Sequence, residues 1–350
     1  MKEKLIYIAP SLSSFVNSDI AFLKKYFKVQ VNTYDWRKKS LVPIYMIHQF
    51  FFIVFQLSGI KTIVISFGGY WSLFPALLGK LSGKPVYIIL NGTDCAAIPA
   101  IGYGNLRKLF LKSACEYSYR MATMLLPVSS SLIYVKNTYF SDDEFSFQGV
   151  KAFFPELKVP MKVIPNGCDE KFWKKPRDKN KTTNTFITAL RPKQWLGKGG
   201  DLIMELSVRF PHCTFYIAGC ERPDFVKKDN INLIFLGELT RDQLREHFVN
   251  TQFYLQLSIF EGFGCSLCEA MLCECIPIGS AVNAIPEIIG DSGFIVERRE
   301  INLLQGVVEM ALESLHKNGL GECARKRVIQ NYSAERRERE IISLINETQK

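Results

Sequence analysis

Two carboxylates, Glu261 and Glu269, bracket the seven residues Gly262-Phe263-Gly264-Cys265-Ser266-Leu267-Cys268. The apolar run at residues 253–260 reads as a strand and residues 265–273 as a helix, so the glycines mark a strand-to-helix corner. Backbone N–H groups and the positive end of the helix dipole favour an anion there, and glycine lets it approach the main chain closely. Carboxylates beside such a site would repel the anion unless they hold something else. Neighbouring hydroxyls, as on a sugar ring, are the economical partner. A second anion device lies upstream, where the loop Arg191-Pro192-Lys193-Gln194-Trp195-Leu196-Gly197-Lys198-Gly199-Gly200 joins a strand at residues 185–190 to a helix at 201–209. Two fixed cations in such a loop can neutralise a leaving diphosphate without a metal.

Positioning these residues needs alternating strands and helices, and the chain supplies them. Short apolar runs at residues 5–9, 28–32, 62–67, 85–90 and 124–128 read as strands separated by helix-period stretches near 18–26, 70–81 and 106–121, the pattern of a parallel α/β sheet. Residues 161–167, Met-Lys-Val-Ile-Pro-Asn-Gly, read as a strand closing on a turn, and 171–183 as an exposed linker. The alternation resumes at 185–190, 214–218, 231–236 and 294–296, with helices at 240–249, 303–315 and 334–345. A length of 350 residues fits two domains, and 47% hydrophobic with 22% charged residues describes a folded chain. The net charge of +10 is uneven: residues 1–170 hold 19 Lys and Arg against 11 Asp and Glu, residues 171–350 hold 25 against 23. The basic first half favours an anionic partner.

The Glu, seven residues, Glu arrangement with its interior G-F-G, followed by E-A-M and I-P-I-G-S, resembles the donor-binding signature of glycosyltransferase family 4, retaining transferases that use nucleotide sugars. The resemblance implies an α/β GT-B fold, two facing Rossmann-like doubly wound domains with an interdomain cleft. Its boundaries would fall at 1–170 for an acceptor-binding domain, 171–330 for the nucleotide-sugar domain and 331–350 for a helix returning to the first. It implies that Glu261 meets the donor sugar and Glu269 the ribose, while Arg191, Lys198 and the segment Phe263, Gly264, Cys265, Ser266 and Leu267 hold the diphosphate. Loop ends at Gly219 and at Gly237-Glu238 would hold the base. The V-I-P-N-G segment at 163–167 is also shared. One departure is Asn91, where many members carry His in a turn that meets the donor sugar; Asn91 can hydrogen-bond but cannot carry a proton. Asp94 in the same turn is a candidate for sugar or acceptor hydroxyls, or a helix cap. The activity implied is transfer from a nucleoside diphosphate sugar to a glycan or lipid-linked acceptor, with no metal, no other cofactor and no nucleic-acid partner. The alternatives are a sugar-nucleotide epimerase and a catalytically silent partner subunit that binds sugar nucleotides.

Cys265, Cys268, Cys273 and Cys275 crowd eleven residues, but follow a helix and the next strand rather than zinc-ligand spacing, so they read as buried core residues. Ten cysteines and no signal peptide point to a reducing, cytoplasmic setting. Asp142-Asp143-Glu144 follows no apolar strand and reads as a solvated loop, not a metal motif. The apolar run 41–57 contains Pro43, His48, Gln49 and Gln56 and is too short to span a bilayer. Its aromatic content, behind Trp36-Arg37-Lys38-Lys39, admits a helix lying at the inner face of an anionic membrane as the alternative to a buried helix.

Overall fold

A computed structural model describes residues 2–140, 146–226, 230–314 and 319–347. The acidic triplet at 142–144 lies outside the described residues. The chain divides into two compact units, Met1–Lys136 with Phe147–Gly167 and Glu335–Lys350 in one, Asn137–Ser146 with Cys168–Ala334 in the other.

The main sheet of the first unit has five strands, β1 (Lys4–Ile8), β2 (Lys28–Asn32), β3 (Ile60–Ser66), β4 (Val86–Leu90) and β5 (Met124–Pro127). They are all parallel, in the order β2-β1-β3-β4-β5. Every residue of β4 is buried and so is every residue of β1 after Lys4, which follows from helices covering both faces of the sheet. Residues 161–167, expected as a strand, follow β5 through hydrogen bonds such as Lys162 N to Leu125 O and Ile164 N to Pro127 O, but form only an isolated bridge. Pro160 and Pro165 lack the N–H that a regular ladder requires. The short antiparallel pair β6 (Val135–Lys136) and β7 (Phe147–Gln148) completes the strands of this unit.

The last helix, Ala334–Glu347, is bound to the first unit by a buried ion pair. Arg337 donates to both oxygens of Asp19 at 2.7 Å and to the carbonyls of Ile164 and Pro165 at 3.0 Å. The hydroxyl of Tyr7 also donates to Asp19.

The second unit holds β8 (Thr182–Ala189), β9 (Thr214–Ala218), β10 (Leu233–Phe235), β11 (Thr251–Gln256), β12 (Ile276–Ser280) and β13 (Phe294–Val296). The order is β10-β9-β8-β11-β12-β13, all parallel, the doubly wound arrangement of dinucleotide-binding domains. Phe186 on β8 is stacked between Phe215 on β9 and Phe253 on β11, with ring centroids 4.9 and 4.8 Å apart. The apolar run 253–260 leaves the sheet after Gln256, earlier than its hydrophobicity implies. Leu257, Ser258, Ile259 and Phe260 stay buried as a loop, because they pack on the neighbouring loop instead of pairing in a ladder.

Candidate donor site

In a doubly wound sheet the ligand crevice lies outside the carboxyl ends of the strands where the order reverses. Here that point falls between β8 and β11, and both sequence motifs leave the sheet there. β8 feeds the loop containing Arg191 and Lys198, and β11 feeds the loop containing Glu261 and the helix Cys265–Leu272.

The two loops are in direct contact. Gly199 adopts φ +74°, and a Cβ there would lie 2.6 Å from Leu257 Cβ, so only glycine permits the approach. Ile259 N donates to Gly197 O at 2.9 Å. Lys198 Nζ then reaches Glu261 Oε2 at 2.5 Å. The same oxygen accepts from Gln256 Nε2 at 2.9 Å and Ser258 Oγ at 3.3 Å. Asn283, in the left-handed region at φ +50°, receives the Glu261 N–H on its Oδ1. Tyr254 hydroxyl donates to Gln256 Oε1, which completes a chain of buried polar groups behind the carboxylate. Gln256, Ser258 and Asn283 were not singled out from the sequence. The alternation of Gln256 and Ser258 at the end of β11 is the signal that could have marked them.

Gly264, at φ +113°, caps the helix Cys265–Leu272, and the first ladder bond within reach runs from Cys268 N to Gly264 O at 3.1 Å. The amides of Cys265, Ser266 and Leu267 precede that bond and form the positive end of the helix. Leu267 and Phe263 contribute no side chain to a ligand. Leu267 is fully buried, and Phe263 packs edge-on against Tyr332 at 5.3 Å, so only their backbones can serve. Glu269 lies one turn into the helix and is half-buried. Burial pushes its carboxyl up to about 7, with the Arg241 cation pulling weakly the other way. Such a carboxylate lacks the solvation it would have in water and gains from accepting ligand hydroxyls.

Arg191 is exposed; its N–H is held by the Gln194 side chain, and its guanidinium does not join the Lys198–Glu261 pair. Trp195, between the two cations, stacks on Phe235 at the end of β10 and packs edge-on against Phe225. It clamps the loop over the carboxyl edge of the sheet. The expected base-holding backbone at Gly219 and Gly237 is largely engaged internally: Gly219 N donates to Gly237 O at 2.7 Å and Gly237 N to Cys220 O at 3.3 Å. Glu238 is exposed just beyond this pairing.

The turn after β4 in the first unit corrects one expectation. Asp94 is fully buried and accepts from the N–H groups of Gly68, Asn91 and Gly92 at 2.9 to 3.1 Å. Burial pushes its carboxyl up to about 6 against the pull of those backbone bonds. It organises the loops after β3 and β4 and is out of reach of a ligand. Asn91 Nδ2 donates to Ser66 Oγ and Ile89 O, while its Oδ1 is buried without a partner. Of the clustered cysteines, Cys268, Cys273 and Cys275 are buried, as core residues should be, whereas Cys265 at the helix start is only half-buried.

With this geometry in place, the fold is the GT-B arrangement of Rossmann-like domains. Solved structures with it include Anabaena HepE in complex with UDP-glucose (TM-score 0.73, 16% identity, 98% of this chain and 99% of that one). Another is sucrose-phosphate synthase from Thermosynechococcus elongatus (TM-score 0.74, 12% identity, 99% of both chains). The model of the family "Glycosyl transferases group 1" matches residues 169–345, and the chain belongs to that family. Among curated relatives, N-acetyl-alpha-D-glucosaminyl L-malate synthase of Bacillus anthracis is 36% identical over 111 residues, 30% of this chain and 28% of that enzyme. The serotype-specific mannosyltransferase WbdA of Escherichia coli is 34% identical over 80 residues, 23% of this chain and 10% of the relative. The matched stretches thus span less than a third of the length of these relatives.

Proposed function

We propose that the chain is a retaining glycosyltransferase that moves a sugar from a nucleoside diphosphate sugar to a glycan or lipid-linked acceptor. The observation that carries this is the Lys198–Glu261 pair across the strand-order reversal, beside a glycine-capped helix start. In this reading the diphosphate lies against the amides of Cys265, Ser266 and Leu267, with Lys198 bridging between it and Glu261. Arg191 supplies the second cation from the exposed side of the loop. Glu261 is paired with Lys198; all three side-chain donors land on Oε2, which leaves Oε1 to orient sugar hydroxyls. Glu269 would accept the ribose hydroxyls, which supply the solvation its site withholds.

The bond between the anomeric carbon and the diphosphate oxygen breaks with its electron pair on the diphosphate, stabilised by the cations and helix amides. The acceptor hydroxyl attacks from the same face and gives its proton to the departing phosphate oxygen. Asn91 is compatible with this route, because no side-chain base is needed. Metal independence is part of the proposal, since the lysine and arginine charges answer those of the diphosphate. A relative that is crystallised with UDP-glucose supports a nucleotide-sugar donor.

The test is a thermal-shift and calorimetric screen over UDP, GDP, ADP and their sugars, without and with Mg²⁺. Stabilisation by one nucleotide, with or without its sugar, is expected. The absence of binding by any of them would refute the assignment, and a strict Mg²⁺ requirement would refute the two-cation mechanism.

A further inference from the structure

The helix Val42–Val54 of the first unit is apolar on the face it turns to water and buries Ile53 on the other. Its inner face buries a polar residue, Gln49, whose amide donates to Asn32 Oδ1 at 2.9 Å, and sets Phe50 against Phe74. Its outer face presents Ile44, Ile47, Phe51, Val54 and, just past its end, Phe55, which is 80% exposed. A surface helix ordinarily reverses this distribution. Ile44, Ile47, Phe51 and Phe55, with His48 and Phe52, line an open groove of about 440 Å³.

Cations gather at the start of this helix. Lys38 and Lys39 precede this helix, and Arg107 and Lys108 precede the helix Leu109–Met121, whose first residues Leu109 and Phe110 are also exposed, Phe110 by 77%. The two basic segments are close enough to repel: partial desolvation, then the Arg107 and Lys39 charges, hold the Lys108 ammonium below its ordinary value. Asp35, just upstream, is paired with Arg37. Cations at two helix starts add to the positive ends of both dipoles, an arrangement that is unfavourable until an anion covers it. At 13 residues the helix is too short to cross a bilayer, and no helix among the described residues is long and apolar enough to do so.

We infer that this face docks on an anionic lipid bilayer, with Ile44, Ile47, Phe51 and Phe55 entering the acyl boundary and Lys38, Lys39, Arg107 and Lys108 meeting the lipid phosphates. Apolar insertion combined with surface charge is what gives a peripheral helix stable attachment. The helices start at the carboxyl edge of the parallel sheet, so docking holds that edge near the lipid headgroups. The docking itself rests on this surface alone; its use in delivering a lipid-linked acceptor rests on the transferase reading above.

Co-sedimentation of the full chain with vesicles tests it, using phosphatidylcholine alone and phosphatidylcholine with about 30% phosphatidylglycerol. Binding to the anionic vesicles, none to the neutral ones, and release as salt rises to about 0.5 M are expected. Phe51→Ser/Phe55→Ser should lower the bound fraction on anionic vesicles about tenfold or more at low salt, through lost apolar burial. Lys39→Glu/Arg107→Glu/Lys108→Glu should abolish the preference for anionic lipid. Both variants should keep the thermal midpoint and nucleotide response of the parent, which separates lost docking from lost folding. Wild-type protein left in the supernatant at low salt, or variants that bind as well as the parent, would overturn the inference. So would a concentration-dependent dimer that Phe55→Ser dissolves, since the face would then belong to a second copy. Vesicle binding without any nucleotide binding would uphold the docking and remove the transferase; nucleotide binding without vesicle binding would do the reverse.

Discussion

Two of the carboxylate–cation pairs that join distant segments, Arg337–Asp19 and Lys198–Glu261, are built to opposite specifications. Arg337 and Asp19 in the first unit are 4% and 2% exposed, bidentate, with Nη1 donating to the Ile164 and Pro165 carbonyls. Lys198 and Glu261 in the second unit are 20% and 18% exposed and meet through a single oxygen. The first pair has its bonding capacity filled within the protein, so its work is to fix a helix in place. The second retains an acceptor oxygen and a point-charge donor with hydrogens to share, which is what a ligand-exchanging site requires. Two contacts of similar length therefore differ in role because one is closed and the other open.

Removing one partner from each pair should break this contrast in opposite observables. Arg337→Ala leaves Asp19 as an uncompensated buried charge and should cost about 3–5 kcal/mol of stability. Chemical denaturation measures it, and replacing both residues together, Asp19→Leu with Arg337→Met, should recover most of the loss. If the double replacement recovers nothing, the pair does more than hold a helix. Lys198→Ala should lower transfer about a hundredfold or more, the scale of a lost preorganised charge, with stability within about 1 kcal/mol of the parent. Full activity in that variant would place the loop outside the site.

Glu269 sharpens the contrast further, because its carboxyl is held where folding disfavours it. Its folded value, about 7, lies above the ordinary 4.5, so between these limits the folded state binds the extra proton and stability falls as pH rises. Glu269→Gln should flatten that decline and raise the thermal midpoint above pH 7, while weakening nucleotide binding about tenfold, as one lost charge-assisted hydrogen bond would. A midpoint that drops in Glu269→Gln would make the residue structural. The smallest effect is expected at Arg191, which is exposed and outside the Lys198–Glu261 pair. Arg191→Ala should reduce transfer severalfold, and the loss should shrink as salt screens the remaining charges.

The donor-site residues were legible because their chemistry is local. Two glycines between spaced acids, and a basic glycine loop after an apolar run, mean much the same wherever the sheet places them. Asp94 was not legible. An Asp in an Asn-Gly-Thr-Asp turn can face a ligand or the interior, and the choice is made by Gly68, which donates to it from 26 residues away. The inward turn of the Phe263 and Leu267 side chains was not legible either, since a helix start reveals its amides but not which side chains turn inward. The run 253–260 misled because hydrophobicity reports burial, and burial there comes from packing between loops after the ladder has ended at Gln256.

By itself the sequence determined the alternation of strand and helix, the uneven charge and the two anion-favouring turns, all properties of neighbouring residues. Tertiary structure alone decided which strands lie side by side, and therefore where the order reverses. It also joined Lys198 to Glu261 across 63 positions and Asp19 to Arg337 across 318. Such contacts depend on how layers pack around a sheet, and no local pattern encodes the partner on the far side.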